Sequence, residues 1–235
     1  MEKFLKCLVA LTFFMLLAGC SNDDNDSSEQ PQKRILRYFV PGQKDEYWIY
    51  DEKKRLTEII ENKFKTTFTY DEQSRVIKVV GFPISNPEMT SQPYLFHYNE
   101  GEVIMERGIT NIKYILNSDG QPIQELLKIG NSYKLQKSFT YQNGNMVKMG
   151  GPAGFSFRYD NKKNVLADYP IGIRLFAYTK YKNAFGYVSK NNIISVQPYV
   201  NETPMSEIIY ELTYDSDGYL IKSQSEIDYQ TFSYW

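Results

Sequence analysis

Phe68-Thr69-Tyr70-Asp71-Glu72-Gln73-Ser74-Arg75-Val76 reads as the end of one strand, a tight turn and the start of another. Phe68 and Tyr70 stand two apart, so they share one face of a strand, while Thr67 and Thr69 take the other. An aspartate directly after the tyrosine can bond the backbone two residues on, which sets a turn. The apolar register resumes at Val76, six residues past the tyrosine. Leu212-Thr213-Tyr214-Asp215-Ser216-Asp217-Gly218-Tyr219-Leu220 repeats the arrangement near the other end of the chain. The tyrosines of the full series are Tyr50, Tyr70, Tyr98, Tyr114, Tyr141, Tyr159 and Tyr214. Trp48, Phe68, Phe96, Ile112, Phe139, Phe157 and Leu212 precede them by two. Self-similarity of this kind marks an array of small supersecondary units.

Working outward, the turns are built from Asp51, Asp71, Asn99-Glu100-Gly101, Asn117 to Gly120, Asn143-Gly144, Asp160-Asn161 and Asp215 to Gly218. Asn, Asp and Gly supply the backbone bonds and positive φ that hairpins require. After them, apolar residues return at Leu56, Val76, Val147, Val165 and Leu220. Tyr187 opens a weaker eighth unit through Asn191-Asn192 to Ile193 and Ile194. The pattern predicts an all-β chain, an antiparallel meander of about 12–16 strands forming a closed or partly open barrel. Two stretches break the rhythm. Gly81 to Pro93 holds three prolines and reads as a loop. Tyr169 to Gly186, with its dense run Ile171 to Tyr178, reads as an irregular strand or a loop folded over an opening.

A repetitive meander leaves two sticky edges unless it closes. The last segment, Tyr229 to Trp235, alternates as a strand and is placed to pair with the first, near Ile35 to Val40. A membrane barrel turns its apolar face outward, a soluble one inward. Many of the strands are shorter than the ~9–11 residues that span a bilayer, which favours an inward apolar face. So many strands make a lumen that wall side chains do not easily fill, so the inward arrangement must flatten, stay partly open or be plugged.

Residues 1–19 read as a signal peptide: Lys3 and Lys6, an apolar stretch from Leu8 to Leu17, then Leu17-Ala18-Gly19-Cys20. The last four residues resemble the bacterial lipobox. That resemblance implies acylation of Cys20, which becomes the first mature residue and the link to the membrane. Residues 20–34 follow as the acylated cysteine and an acidic tether without the apolar residues needed to fold. Its start resembles the export signal of surface lipoproteins in Bacteroidota, which implies an outer-membrane lipoprotein facing the extracellular side. Residues 35–235 then form one domain.

With Cys7 removed and Cys20 acylated, the mature chain has no cysteine for a disulfide or a metal. Cleavage takes Glu2, Lys3 and Lys6 and leaves 25 basic against 27 acidic residues. That balance argues against nucleic acid as a partner. His97 is the only histidine, too little for a zinc site. Gly-x-Ser-x-Gly is absent, so no nucleophile elbow is expected. Asp215-Ser216-Asp217-Gly218 approaches a calcium loop with Glu226 at its twelfth place. Leu220 stands where the sixth place needs glycine, so it reads as a turn.

Tyr70-Asp71-x-x-Ser74-Arg75-Val76 and Tyr214-Asp215-x-x-Gly218-Tyr219-Leu220 resemble the YD repeats of Rhs-type proteins, written Tyr-Asp-x-x-Gly-Arg-Leu. Lys54, Ser74, Asn145 and Lys163 stand where that pattern has glycine. With its lipobox, acidic tether and closing Tyr229 to Trp235, the chain resembles a family of Bacteroidota lipoproteins of unknown function with a porin-like fold. The resemblance implies a large antiparallel barrel and transfers no catalytic or ligand-binding residue. No cofactor, metal or catalytic residue is expected. Two functions stay open: non-enzymatic binding of a glycan, lipid or protein partner, or a carboxylate-dependent hydrolase acting on extracellular polymers. A converging pair of carboxylates in a concave pocket would favour the second.

Overall fold

A computed structural model describes residues 33–41, 44–151, 153–181, 186 and 188–234, which form one compact unit. Cys20, the leader and almost all of the tether lie outside the described residues, as do Tyr187 and Trp235.

The first hairpins are β1 (Ile35–Val40), β2 (Lys44–Tyr50), β3 (Leu56–Glu61), β4 (Phe64–Tyr70), β5 (Val76–Pro83) and β6 (Tyr94–Asn99). Then come β7 (Glu102–Arg107), β8 (Thr110–Leu116), β9 (Pro122–Ile129), β10 (Ser132–Gln142), β11 (Asn145–Gly150) and β12 (Ala153–Lys163). A 3-10 turn (Val165–Asp168) and helix α1 (Ile171–Lys180) follow. The chain closes with β13 (Asn191–Val200), β14 (Thr203–Pro204), β15 (Ile208–Ile209), β16 (Glu211–Tyr214), β17 (Leu220–Gln224) and β18 (Tyr229–Tyr234). All eighteen belong to one antiparallel sheet. The total exceeds the expected range partly because β14 and β15 are two-residue strands that no sequence period reveals.

Each strand from β1 to β13 pairs with the next, and β18 returns to β1 with Ile35 opposite Tyr234 and Tyr38 opposite Phe232. Among the described residues the circuit of ladders is interrupted once. No ladder joins β15 to β16; the chain runs on through Tyr210, whose N–H donates to the Ile194 carbonyl at 2.9 Å. The meander therefore comes round on itself without being sealed by hydrogen bonds.

The inward face is the dry one. Trp48, Phe68, Phe96, Phe139 and Phe157, all two places before a tyrosine, are buried. The outward face carries cross-strand ion pairs: Glu58 with Lys65 at 2.9 Å, Glu102 with Lys113 at 2.7 Å and Arg37 with Asp45 at 2.7 Å. A charge on a lipid-facing wall would cost about 2–4 kcal/mol near the bilayer midplane.

The turns repeat as closely as the strands. After Tyr50, the Lys54 N–H donates to the Asp51 carbonyl at 2.9 Å, and the Arg55 N–H reaches Asp51 Oδ1 at 2.8 Å. Ser74 and Arg75 do the same to Asp71, Gly120 and Gln121 to Asn117, and Gly218 and Tyr219 to Asp215. The fourth residue after the tyrosine takes positive φ in three of these turns: Lys54 (59°), Ser74 (60°) and Gly218 (82°). Gly120 (71°) does so in the turn that begins at Asn117. Glycine is preferred there because it alone has no Cβ to clash.

The tyrosines do more than pack. Tyr70 donates its hydroxyl to the Leu56 carbonyl at 2.6 Å, Tyr98 to that of Val76 at 2.7 Å and Tyr159 to that of Met146 at 2.6 Å. Tyr50 reaches Ile35 at 2.8 Å, and Tyr234 reaches Leu220 at 2.5 Å. Each holds a carbonyl at the head of the strand just before its own. The arginine closing one turn stacks on the tyrosine of the next unit: Arg55 over Tyr70 and Arg75 over Tyr98, both at 4.8 Å.

Four expectations are corrected. Gly81 to Pro83 belong to β5, paired with β4, so the loop begins only at Ile84. Asp160-Asn161 is not a hairpin turn, because β12 runs through it to Lys163, and Val165 opens the 3-10 turn. The Asn164 side chain explains the change, accepting from the Leu166 N–H at 3.0 Å as a cap. Asn191-Asn192 is likewise strand, the start of β13. The dense segment after Tyr169 is neither strand nor loop but the ten-residue helix α1. Its apolar residues surround it, the mark of an element buried on most sides.

Candidate functional site

Helix α1 occupies the interior that the wall encloses. Phe176 stands edge-on to Phe68 (5.6 Å between ring centroids) and to Tyr94 (5.2 Å). Tyr178 meets Phe139 edge-on at 6.0 Å, and Thr179 lies by the Met105 sulfur. A Cβ added at Gly172 would fall on the Tyr98 hydroxyl and crowd Val76, so the first turn of α1 approaches the wall only because that residue is glycine. One end of the core joins α1 to β1–β8 and β18, and a second cluster joins Phe139, Met146, Met149, Phe157, Val188 and Val196. Tyr178 packs against both.

Polar side chains key the helix to the wall. Glu46 of β2 is fully buried and points inward with Trp48 and Tyr50. Its carboxylate accepts from the Tyr181 hydroxyl at 2.9 and 3.1 Å, from Lys180 Nζ at 3.2 Å and from Trp48 Nε1 at 3.2 Å. Glu61, opposite Glu46 on β3, lies 3.6 Å from the same ammonium. Lys180 also ends the helix, where a cation suits the negative pole of the helix dipole. On another side, Lys137 of β10 donates to the Tyr178 hydroxyl at 2.8 Å and sits 3.3 Å from Glu125. Near the start of α1, burial pushes the Arg174 guanidinium below its usual range, beside Tyr141 and Asp168. The Tyr50 and Tyr169 hydroxyls share a bond of 2.6 Å, and burial pushes Tyr169 up to about 12. Desolvation also raises Tyr50, Tyr70, Tyr98, Tyr159 and Tyr178 above the ordinary phenol value.

Chemically, Glu46 is committed: its two oxygens are engaged by Tyr181, Lys180 and Trp48, leaving no free approach for a substrate proton. Glu46 and Glu61 do converge, but on a lysine rather than on a pocket. A shallow depression of about 240 Å³ lies elsewhere, between Val40-Pro41 and the turn Gln224 to Tyr229.

The two ends of the sheet differ sharply. The Asp- and Asn-built turns after β2, β4, β6, β8, β10 and β16 carry no exposed large apolar side chain. The opposite end carries exposed Ile84, Met89, Ile109, Met205 and Ile227 on its connections, and exposed Phe64, Ile129 and Val200 at the adjoining strand ends. β1 enters at the polar end, since Ile35 is the residue that Tyr50 clamps.

Of the residues singled out in the sequence, His97 faces outward beside Glu106 at 3.4 Å. Asp215 to Gly218 is a turn whose acids pair with Lys33, Asp215 at 2.9 Å and Asp217 at 2.5 Å. Cys20 lies outside the described residues. Among the described residues no group of three or more His, Cys, Asp or Glu is placed to hold a metal, and no helix is long and apolar enough to cross a membrane. Glu46 and Lys180 escaped sequence reading, though one signal was present: an acid at period two with Trp48 and Tyr50, on the face that must be dry.

No protein-family model matches the chain, and no curated protein does. Among solved structures, a porin-like protein from Bacteroides uniformis is similar, with a TM-score of 0.39 and 11% identity over 87% of this chain and 98% of that one.

Proposed function

We propose that the mature chain is a lipid-anchored protein of the outer membrane, facing the extracellular side, that works by binding a glycan, lipid or protein partner rather than by turnover. The observation that carries this reading is where the chain spends its groups. The interior carboxylate best placed for chemistry is already saturated by Tyr181, Lys180 and Trp48, and the interior is occupied by α1. Exposed apolar side chains gather instead on the connections of one end. The sheet is then a scaffold for that end, as loops on a rigid frame commonly are. The lipobox at Leu17 to Cys20 and the acidic tether after it support attachment through Cys20.

The test is a binding screen on the mature chain from Ser21 against glycans, vesicles and peptides, run beside hydrolysis assays on the same polymers. Binding without turnover is expected. Turnover abolished by one carboxylate substitution would overturn the reading in favour of a hydrolase.

A further inference from the structure

We propose that the apolar end is a second membrane contact: its loop tips insert shallowly into a lipid surface while Cys20 anchors the chain to the same bilayer. This rests on the binding reading above and names the occupant of that end.

The distribution of the tips argues for lipid. Ile109 is fully exposed on the turn between β7 and β8, flanked by Gly108 and Thr110. Met89 and Ile84 project from the β5–β6 loop among Ser85, Asn86, Thr90 and Ser91. Ile227 stands on the β17–β18 turn, and Met205 follows β14. These aliphatic side chains are spread over four connections, β5–β6, β7–β8, β14–β15 and β17–β18, rather than gathered on one. A protein partner is held by a contiguous, well-packed apolar centre rich in aromatic residues and arginine. Separate aliphatic tips match a deformable surface instead, where each can enter the headgroup boundary independently. Acids at Glu88, Glu202, Glu226 and Asp228 interleave with Lys63, Arg107 and Lys128 at this end. No net attraction to anionic lipid is therefore built in, and the contact should be apolar and insensitive to salt.

Chain length permits the geometry although β1 enters at the polar end. Cys20 to Lys33 is thirteen residue steps, which span up to about 45 Å when extended. The strands from β1 to β13 have six to eleven residues, so they are about 20–36 Å long at ~3.3 Å per residue. The linker is thus longer than the wall is tall, and the end opposite the anchor can face the same membrane. Anchoring also keeps the bilayer at high effective concentration, so each tip needs only modest affinity.

The experiment uses the mature chain from Ser21, unacylated, floated with vesicles of phosphatidylethanolamine containing phosphatidylglycerol. Recovery with the vesicles at low and high salt is expected. Ile109→Ser and Ile227→Ser should each weaken partitioning by about tenfold, as loss of one buried aliphatic side chain implies. Leu135→Ser, on the outer wall of β10, should not. Both tips are exposed, so unchanged melting of the variants excludes misfolding. Ile109→Trp should shift its emission to the blue when vesicles are added, and Glu52→Trp at the polar end should not. Absence of recovery, or equal shifts at both ends, overturns the membrane contact. If vesicles fail yet Ile109→Ser weakens capture of a glycan or peptide found in the screen, the binding reading stands and the lipid occupant falls. If the tips matter to neither, both fall.

Discussion

At the scale of the residue, Lys54 and Ser74 are held with positive φ at the place Gly218 fills in the equivalent turn. A side chain there costs about 1–2 kcal/mol, partly offset by the greater entropy glycine loses on folding. Ser74→Gly and Lys54→Gly should each stabilise the fold by about 0.5–1 kcal/mol, read as a rise in the urea midpoint. A fall at both sites would refute the account of the turn. The clamping tyrosines make a second prediction, with a definite sign. Burial raises their folded values, so the folded state favours the neutral phenol. Unfolded tyrosine ionises near the ordinary value of about 10. The stability they contribute is therefore whole below about pH 10 and is lost as pH rises through the folded values, which for Tyr169 means about 12. Alkaline titration followed by circular dichroism should show unfolding only above about pH 10, with a shallower dependence in the Tyr70→Phe, Tyr98→Phe double variant. Onset near neutral pH would contradict it.

At the scale of the element, hairpins were legible and the helix was not. Trp48-x-Tyr50, Phe68-x-Tyr70 and Phe157-x-Tyr159 declare a face at period two, and every first member is buried. The closing strand was legible too, because an unpaired edge demands a partner. Ile171 to Lys180 failed for a physical reason: an element buried on most sides shows no polar stripe, so helix and strand periods both vanish from it. Asp160-Asn161 failed because a turn former can equally hold a neighbour, and Asp160 Oδ1 accepts from the Asn192 N–H at 3.1 Å. Of the candidate site, only the acid on a dry face at Glu46 was there to be noticed. The helix also yields a stability test. Glu46→Ala removes one partner of a buried pair and should cost about 3–5 kcal/mol. Phe139→Ala and Phe157→Ala, which open cavities beside or beyond Tyr178, should cost a similar ~3–5 kcal/mol. Near-neutral results at all three would mean that α1 and the inward wall do not share one core.

At the scale of the whole molecule, the helix answers the question a wide sheet poses. With this many strands the wall alone leaves a lumen, and α1 with its keyed side chains fills it. The outer wall keeps its paired charges, so the membrane attachment proposed above would fall to a lipid at Cys20 and to the loop tips rather than to the strands. Cys20→Ala should abolish metabolic acyl labelling and release the protein from the outer-membrane fraction. Unlabelled wild-type protein, or a variant that stays in the membrane fraction unchanged, would remove the anchor from the account.

The tyrosine clamps have a consequence for how the chain is made. Every one of them reaches backward: Tyr50 to Ile35, Tyr70 to Leu56, Tyr98 to Val76, Tyr159 to Met146 and Tyr234 to Leu220. The partner carbonyl always leaves the ribosome before the hydroxyl that secures it. Order can therefore accumulate from β1 onward as the chain emerges, each hairpin fastened to chain already delivered, with loops short enough to close quickly. The two ladders of β18, with β17 and with β1, must wait for the last residues. A partly emerged chain would thus expose two edges, that of β1 and the growing one, rather than many.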